Sequence, residues 1–163
     1  DWSSDVCSSD LFSKASMTDV LKSGLPEMRS VNATEFEPLL LLNRTNHFEA
    51  RSLPFEARIS PVFGIAVGDL DGDGAQDLFL AQNFFGVSKA DSRQDASEGC
   101  WLRGDGSGGF KAVSSRESGV VVDGEARAAA IADFNHDGRP DLVVTQNRGQ
   151  TRLFQNQIGR AHV

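Results

Sequence analysis

Asp69-Leu-Asp-Gly-Asp-Gly-Ala-Gln-Asp77 sets carboxylates at positions 1, 3, 5 and 9 of one short stretch, with Gly74 at position 6. Side chains at alternate positions of a tight loop converge on one point, and the main-chain carbonyl of Ala75, at position 7, can join them. Such an all-oxygen set suits a hard cation: calcium takes about 6–8 oxygens at roughly 2.3–2.6 Å. Gly74 supplies the sharp turn, because only glycine adopts positive φ without steric cost. The pattern recurs as Asp133-Phe-Asn-His-Asp-Gly-Arg-Pro-Asp141, with Gly138 in the place of Gly74 and Arg139 in that of Ala75. The expected ligands of two Ca2+ ions are therefore Asp69, Asp71, Asp73, Ala75 and Asp77 in the first loop, and Asp133, Asn135, Asp137, Arg139 and Asp141 in the second.

An EF-hand would close its loop with a bidentate Glu at position 12. Leu80 and Val144 stand there instead, inside runs that read as strands rather than helices. Acidic turns without an ion are the other alternative. Against them, four carboxylates crowded without a cation repel one another. His136 falls at an outward-pointing position of its loop and is expected to face solvent.

Working outward from each loop, Gly64-Ile-Ala-Val-Gly68 leads into the first and Asp77-Leu-Phe-Leu-Ala-Gln-Asn83 leaves it. Ala128 to Ala132 leads into the second, and Asp141-Leu-Val-Val-Thr-Gln-Asn147 leaves it. These flanks are short and rich in strand formers. Leu39 to Leu42, His47 to Leu53 and Trp101-Leu-Arg103 read as further strands, with turns at Asn43–Asn46 and at glycine-rich Gly104–Gly109. Phe110 corresponds to Phe48, and Leu153-Phe-Gln-Asn156 opens a third unit. The period, Asp69 to Asp133, is about 64 residues, and self-similarity at such a spacing signals a propeller or array. The expected fold is all-β: a fragment of a β-propeller, about two four-stranded blades with calcium-binding hairpin loops. A first repeat is expected over 39–98 and a second, with the start of a third, over 99–157. Residues 12–38 read as a lead-in, with a short helix over Met17–Leu25.

Phe63 to Leu78 and Ala129 to Leu142 resemble the FG-GAP/VCBS repeat, which forms blades of the integrin-α-type β-propeller. The stretches Leu80-Ala-Gln-Asn-Phe-Phe85, Trp101-Leu-Arg-Gly-Asp-Gly106 and Thr151-Arg-Leu-Phe-Gln-Asn156 resemble the cartilage acidic protein family, whose members also carry an ASPIC/UnbV domain. The resemblance implies an extracytoplasmic binding or adhesion role (extracellular, cell surface or periplasmic) toward a protein or glycan ligand, and no known reaction. The alternative is an accessory propeller region of a secreted enzyme.

The ends read differently. Asp5-Val-Cys-Ser-Ser-Asp10 is encodable by GAC GTG TGC TCT TCC GAT, whose reverse complement reads Ile-Gly-Arg-Ala-His-Val, the sequence of Ile158 to Val163. The pair resembles a read-through sequencing adapter, so residues 1–11 and 158–163 are expected to be foreign to the fold. With Cys7 set aside, Cys100 has no internal disulfide partner, and a lone cysteine is more often a small buried hydrophobe than a nucleophile.

The chain has 39% hydrophobic residues and a formal charge of -7. That acidity argues against a nucleic-acid surface, which needs clustered Lys and Arg. Nothing in the sequence is long and apolar enough to be a transmembrane segment. No nucleophile with a base, no Cys/His metal set and no phosphate loop is present. Glu125 and Arg127 are the nearest approach to a catalytic cluster, and the chain is expected not to be an enzyme. Arg103-Gly-Asp105 spells an adhesion tripeptide, but in a turn the repeat itself requires. Asn32-Ala-Thr34 and Asn43-Arg-Thr45 fit the glycosylation pattern. The long link Phe84–Gly99, against the short Arg148–Thr151, is expected on the face away from the ions and is the candidate partner contact.

Overall fold

The computed structural model describes residues 15–16, 19 and 31–158. The chain divides into two compact units, Asp1–Phe36 and Glu37–Val163. In the first, Ser16 N donates to Asp19 Oδ2 at 2.9 Å and Asp19 N to Ser16 Oγ at 3.2 Å, a reciprocal cap. The rest of the expected Met17–Leu25 helix lies outside the described residues, as do the expected adapter ends apart from Ile158.

In the second unit the described strands are β1 (Leu39–Arg44), β2 (His47–Ser52), β3 (Val62–Gly68), β4 (Asp77–Gln82), β5 (Cys100–Gly104), β6 (Phe110–Val113), β7 (Glu125–Ala132), β8 (Asp141–Asn147) and β9 (Arg152–Phe154). All pairings are antiparallel and between sequence neighbours: a β1–β2 hairpin, a four-stranded sheet β3-β4-β5-β6 and a three-stranded sheet β7-β8-β9. The fold is all-β with blade-like antiparallel sheets. The repeat frame and the sheet frame are out of phase, however. β1 and β2 pair only with each other among the described strands, while the four-stranded sheet spans Val62–Val113, across the 98/99 repeat boundary. One described sheet has four strands, not two. A repeat can be cut at any phase; hydrogen bonding fixes which strands share a sheet.

Alternation sets the layers. On β4 and β5, Phe79 pairs with Trp101 and both enter one core with Ala66, Leu70, Val122, Ala126, Leu142 and Val144. The adjacent positions Leu80, Cys100 and Leu102 enter a second core with Ala57 on the opposite face. Successive side chains of a strand point to opposite faces, so a sheet buried on both sides reads as the nearly continuous apolar run Leu78–Ala81.

The first core fills the space between β3–β4 and β7–β8. Close approach is set by glycine: a Cβ at Gly64 would lie 2.9 Å from Ala128 Cα and from Arg127 O, and one at Gly68 3.0 Å from Ile131 Cγ2. Because neighbours alternate in direction, loops 69–76 and 105–109 leave one end of the four-stranded sheet and link 83–99 leaves the other. The long link therefore lies on the face away from the first acidic loop.

Candidate metal centre

The first loop is built from backbone N–H groups turned onto carboxylates. Asp69 Oδ1 accepts from Gly72 N (2.7 Å) and its Oδ2 from Gly74 N (3.0 Å). Asp71 Oδ1 accepts from Asp73 N (3.1 Å), and Asp73 Oδ1 from Ala75 N (2.7 Å). Gly72 and Gly74 turn through φ 77° and 91°. Asp77, fully buried at the start of β4, accepts from Leu70 N at 3.0 Å and from Gly104 N at 2.9 Å.

Asp69, Asp71 and Asp77 each bring one carboxylate oxygen within 4.8 Å of the others. Oxygens on opposite sides of one calcium stand about 5 Å apart, twice the bond length, so this trio fits a single cation. Asp73 lies outside the trio, and Ala75 enters the loop network through its N–H. Burial pushes the Asp77 carboxyl above the ordinary range, with the neighbouring Asp71 charge adding to it and the Gly104 and Leu70 N–H bonds opposing. A cation between these groups would reverse that sign. Arg103 Nε lies 2.6 Å from Asp71 Oδ2, an ion pair without an aligned hydrogen bond.

The second loop repeats the scaffold. Asp133 accepts from Asp137 N (3.0 Å) and Gly138 N (2.9 Å), and Asp141 Oδ2 accepts from Phe134 N at 3.0 Å. Asn135 Oδ1 accepts from Asp137 N at 3.1 Å while its Nδ2 donates to Asp137 Oδ2 at 3.0 Å. Two things differ: among the described residues Asp133, Asp137 and Asp141 do not converge as Asp69, Asp71 and Asp77 do, and Arg139 Nε and Nη2 donate to Asp137 Oδ2 at 3.1 and 2.5 Å. That guanidinium holds Asp137 down to about 2. The loop carries its own positive charge beside its carboxylates, whereas among the described residues the first loop meets one from another strand, Arg103 of β5. His136 is exposed at φ 59°, as its outward position requires.

The structure gives other singled-out groups internal roles. Glu125 is buried and accepts from Phe85 N (2.7 Å), Arg127 Nη2 (2.9 Å) and Asn147 Nδ2 (2.7 Å). It pins the start of the long link to β7. Arg127 stacks on the Phe63 ring, 3.9 Å from its centroid, and lies 5.7 Å from that of Phe84. Phe84 and Gln94 exchange two backbone hydrogen bonds that close the link, and Arg93 lies 5.2 Å over Phe85. Within Arg103-Gly-Asp105, Arg103 faces Asp71, and Asp105 Oδ1 accepts from Ser107 N and Gly109 N at 2.8 Å each.

Sequence reading missed the buried amides. Gln82 Nε2 donates to Ala57 O (3.2 Å) and Ser60 O (3.0 Å); Asn83 Nδ2 donates to Ser97 O (2.7 Å) and Gly124 O (3.2 Å). Their recurrence as Gln146-Asn147 was the available signal.

Residues 84–144 match the family model of an FG-GAP-like repeat, and residues 126–163 match that of an FG-GAP repeat. No curated protein matches the chain. Both matches run through the second acidic loop or its flanking strands, and together they support an FG-GAP repeat protein.

Proposed function

We propose that this chain is a calcium-stabilised β-propeller fragment with an extracytoplasmic binding role toward a protein or glycan, and that it is not a catalyst. The observation that carries the calcium reading is the Asp69–Asp71–Asp77 trio, whose spacing fits one ion. The ion would draw on Asp73 and the Ala75 carbonyl as the loop closes, and the second loop would bind through Asp133, Asn135, Asp137, Asp141 and the Arg139 carbonyl against competition from the Arg139 guanidinium.

Blade stacking is supported by equivalent positions. Leu70, Ala66, Ala81 and Asn83 are buried beneath the sheet that follows. Their equivalents Phe134, Ala130, Thr145 and Asn147 are exposed on β7–β8 and its loop. A further sheet, packed on β7 as β7 packs on β3, would cover them. The short motifs shared with the cartilage acidic protein family favour that relationship, and the long link 84–99 is the proposed partner contact, held at its root by Glu125.

The test is thermal unfolding against calcium concentration. One site at free calcium of about 100 times its dissociation constant adds about 2.7 kcal/mol, and extracellular modules bind at about 10⁻⁴–10⁻³ M. The melting temperature should climb over that range, fall back with a chelator, and respond less in Asp69→Asn. An unmoved melting temperature at millimolar calcium would sink the reading.

A further inference from the structure

Asn156 joins the two acidic loops. Its Nδ2 donates to Leu70 O at 2.6 Å and to Pro140 O at 3.1 Å. Leu70 is the second residue of the first loop and Pro140 the eighth of the second. Leu70 N in turn donates to Asp77, while Asn156 N donates to Asp141 Oδ1 at 2.8 Å. Hydrogen bonds thus run from the Asp77 carboxylate through the backbone of Leu70 to the Asn156 side-chain amide and on to the Pro140 carbonyl, while the Asn156 backbone N–H ties the same residue to the Asp141 carboxylate. Asp77 and Asp141 are 0% and 1% exposed, so water does not substitute at either end of this line. The equivalent of Asn156 in the preceding sheet is Gly104, whose N–H meets Asp77 as that of Asn156 meets Asp141. Gly104 has no side chain, so this tie is particular to Asn156.

We propose that Asn156 is a positioning residue that couples cation binding in the first loop to ordering of the second. The inference rests on the calcium reading of the first loop. A cation at Asp69, Asp71 and Asp77 fixes the Leu70 peptide; the Asn156 amide, held on the Leu70 carbonyl, then fixes Pro140 and the hairpin around it. A segment already ordered by one ligand loses less conformational entropy at the next step, and this couples sites without a large structural change. It also means that the two loops do not respond independently.

The test is amide hydrogen exchange on the whole chain with and without millimolar calcium. An Asp133→Asn background weakens any ion of the second loop itself. Calcium should slow exchange at Leu70, Gly72 and Gly74, and also at Phe134 and Gly138, by about 5-fold or more. With Asn156→Ala, or Asn156→Ser should the alanine variant fail to fold, the first group should still slow and the second should not. Second-loop slowing that persists without the Asn156 amide overturns the proposal, as does slowing confined to the first loop in the Asp133→Asn parent. No slowing at any of these amides removes the calcium reading and the coupling together.

Discussion

Gly104 N donates to Asp77 Oδ1 at 2.9 Å, tying the end of β5 to the start of β4 beneath the first acidic loop. The other Asp77 oxygen holds Leu70 N at 3.0 Å, so this carboxylate organises the hairpin as well as facing the candidate ion. Asp77→Ala should therefore destabilise the protein even under chelator, by roughly 1–3 kcal/mol for each buried donor it orphans. Asp73→Ala, at an exposed position, should leave chelated stability nearly unchanged and reduce only the gain from calcium. Denaturant unfolding of both variants with and without calcium separates the two roles.

Gly64→Ala should be strongly destabilising. Its Cβ would stand 2.9 Å from Ala128 Cα and Arg127 O, which are backbone atoms of the neighbouring sheet and cannot swing aside. Overpacking costs typically 1–3 kcal/mol, and the upper end is expected here. Gly104→Ala should do the same, with its Cβ 2.1 Å from Gln76 O. Urea midpoints near that of the parent would show that the sheets separate more easily than this packing implies.

Acid should loosen the root of the long link. The Phe85 N–H holds the Glu125 carboxyl below its ordinary range, helped by the Asn147 amide and the Arg127 and Arg148 charges, while burial opposes them. A carboxyl lowered by folding contributes stability that is present above its unfolded pKa, near 4.5, and is lost as pH falls through the folded value. Glu125→Gln should flatten that part of the acid-side stability profile. An unchanged profile in the variant would remove Glu125 from the account.

Cys100 is a reporter of sheet opening. Burial pushes its thiol up to about 12, so almost no thiolate exists near pH 8. In a Cys7→Ser background, labelling by a thiol reagent should be slow in the native protein and accelerate as denaturant opens the sheet. Immediate labelling at pH 8 would show that β5 is not covered as described.

The sequence by itself determined the local chemistry. Oxygen-bearing side chains at alternate positions followed by Gly74 and Gly138 can make only a few loop shapes, because loop geometry is set by residues a few positions apart. The strand character of Leu78–Ala81 and Leu142–Val144 was legible for the same reason, as was the side of the sheet that carries the long link. The tertiary structure decided what depends on distant partners. It grouped β3–β4 with β5–β6 rather than with β1–β2, since pairing is settled by hydrogen bonds between segments and not by where a repeat is counted from. It turned Asp77 and Asp141 into anchors for Gly104 and Asn156, and tied Glu125 to Phe85. It also brought the Asn156 amide onto Leu70, 86 positions earlier in the chain. No periodicity encodes that contact; it exists because the two sheets pack through Gly64 and Gly68 closely enough for one amide to reach both loops.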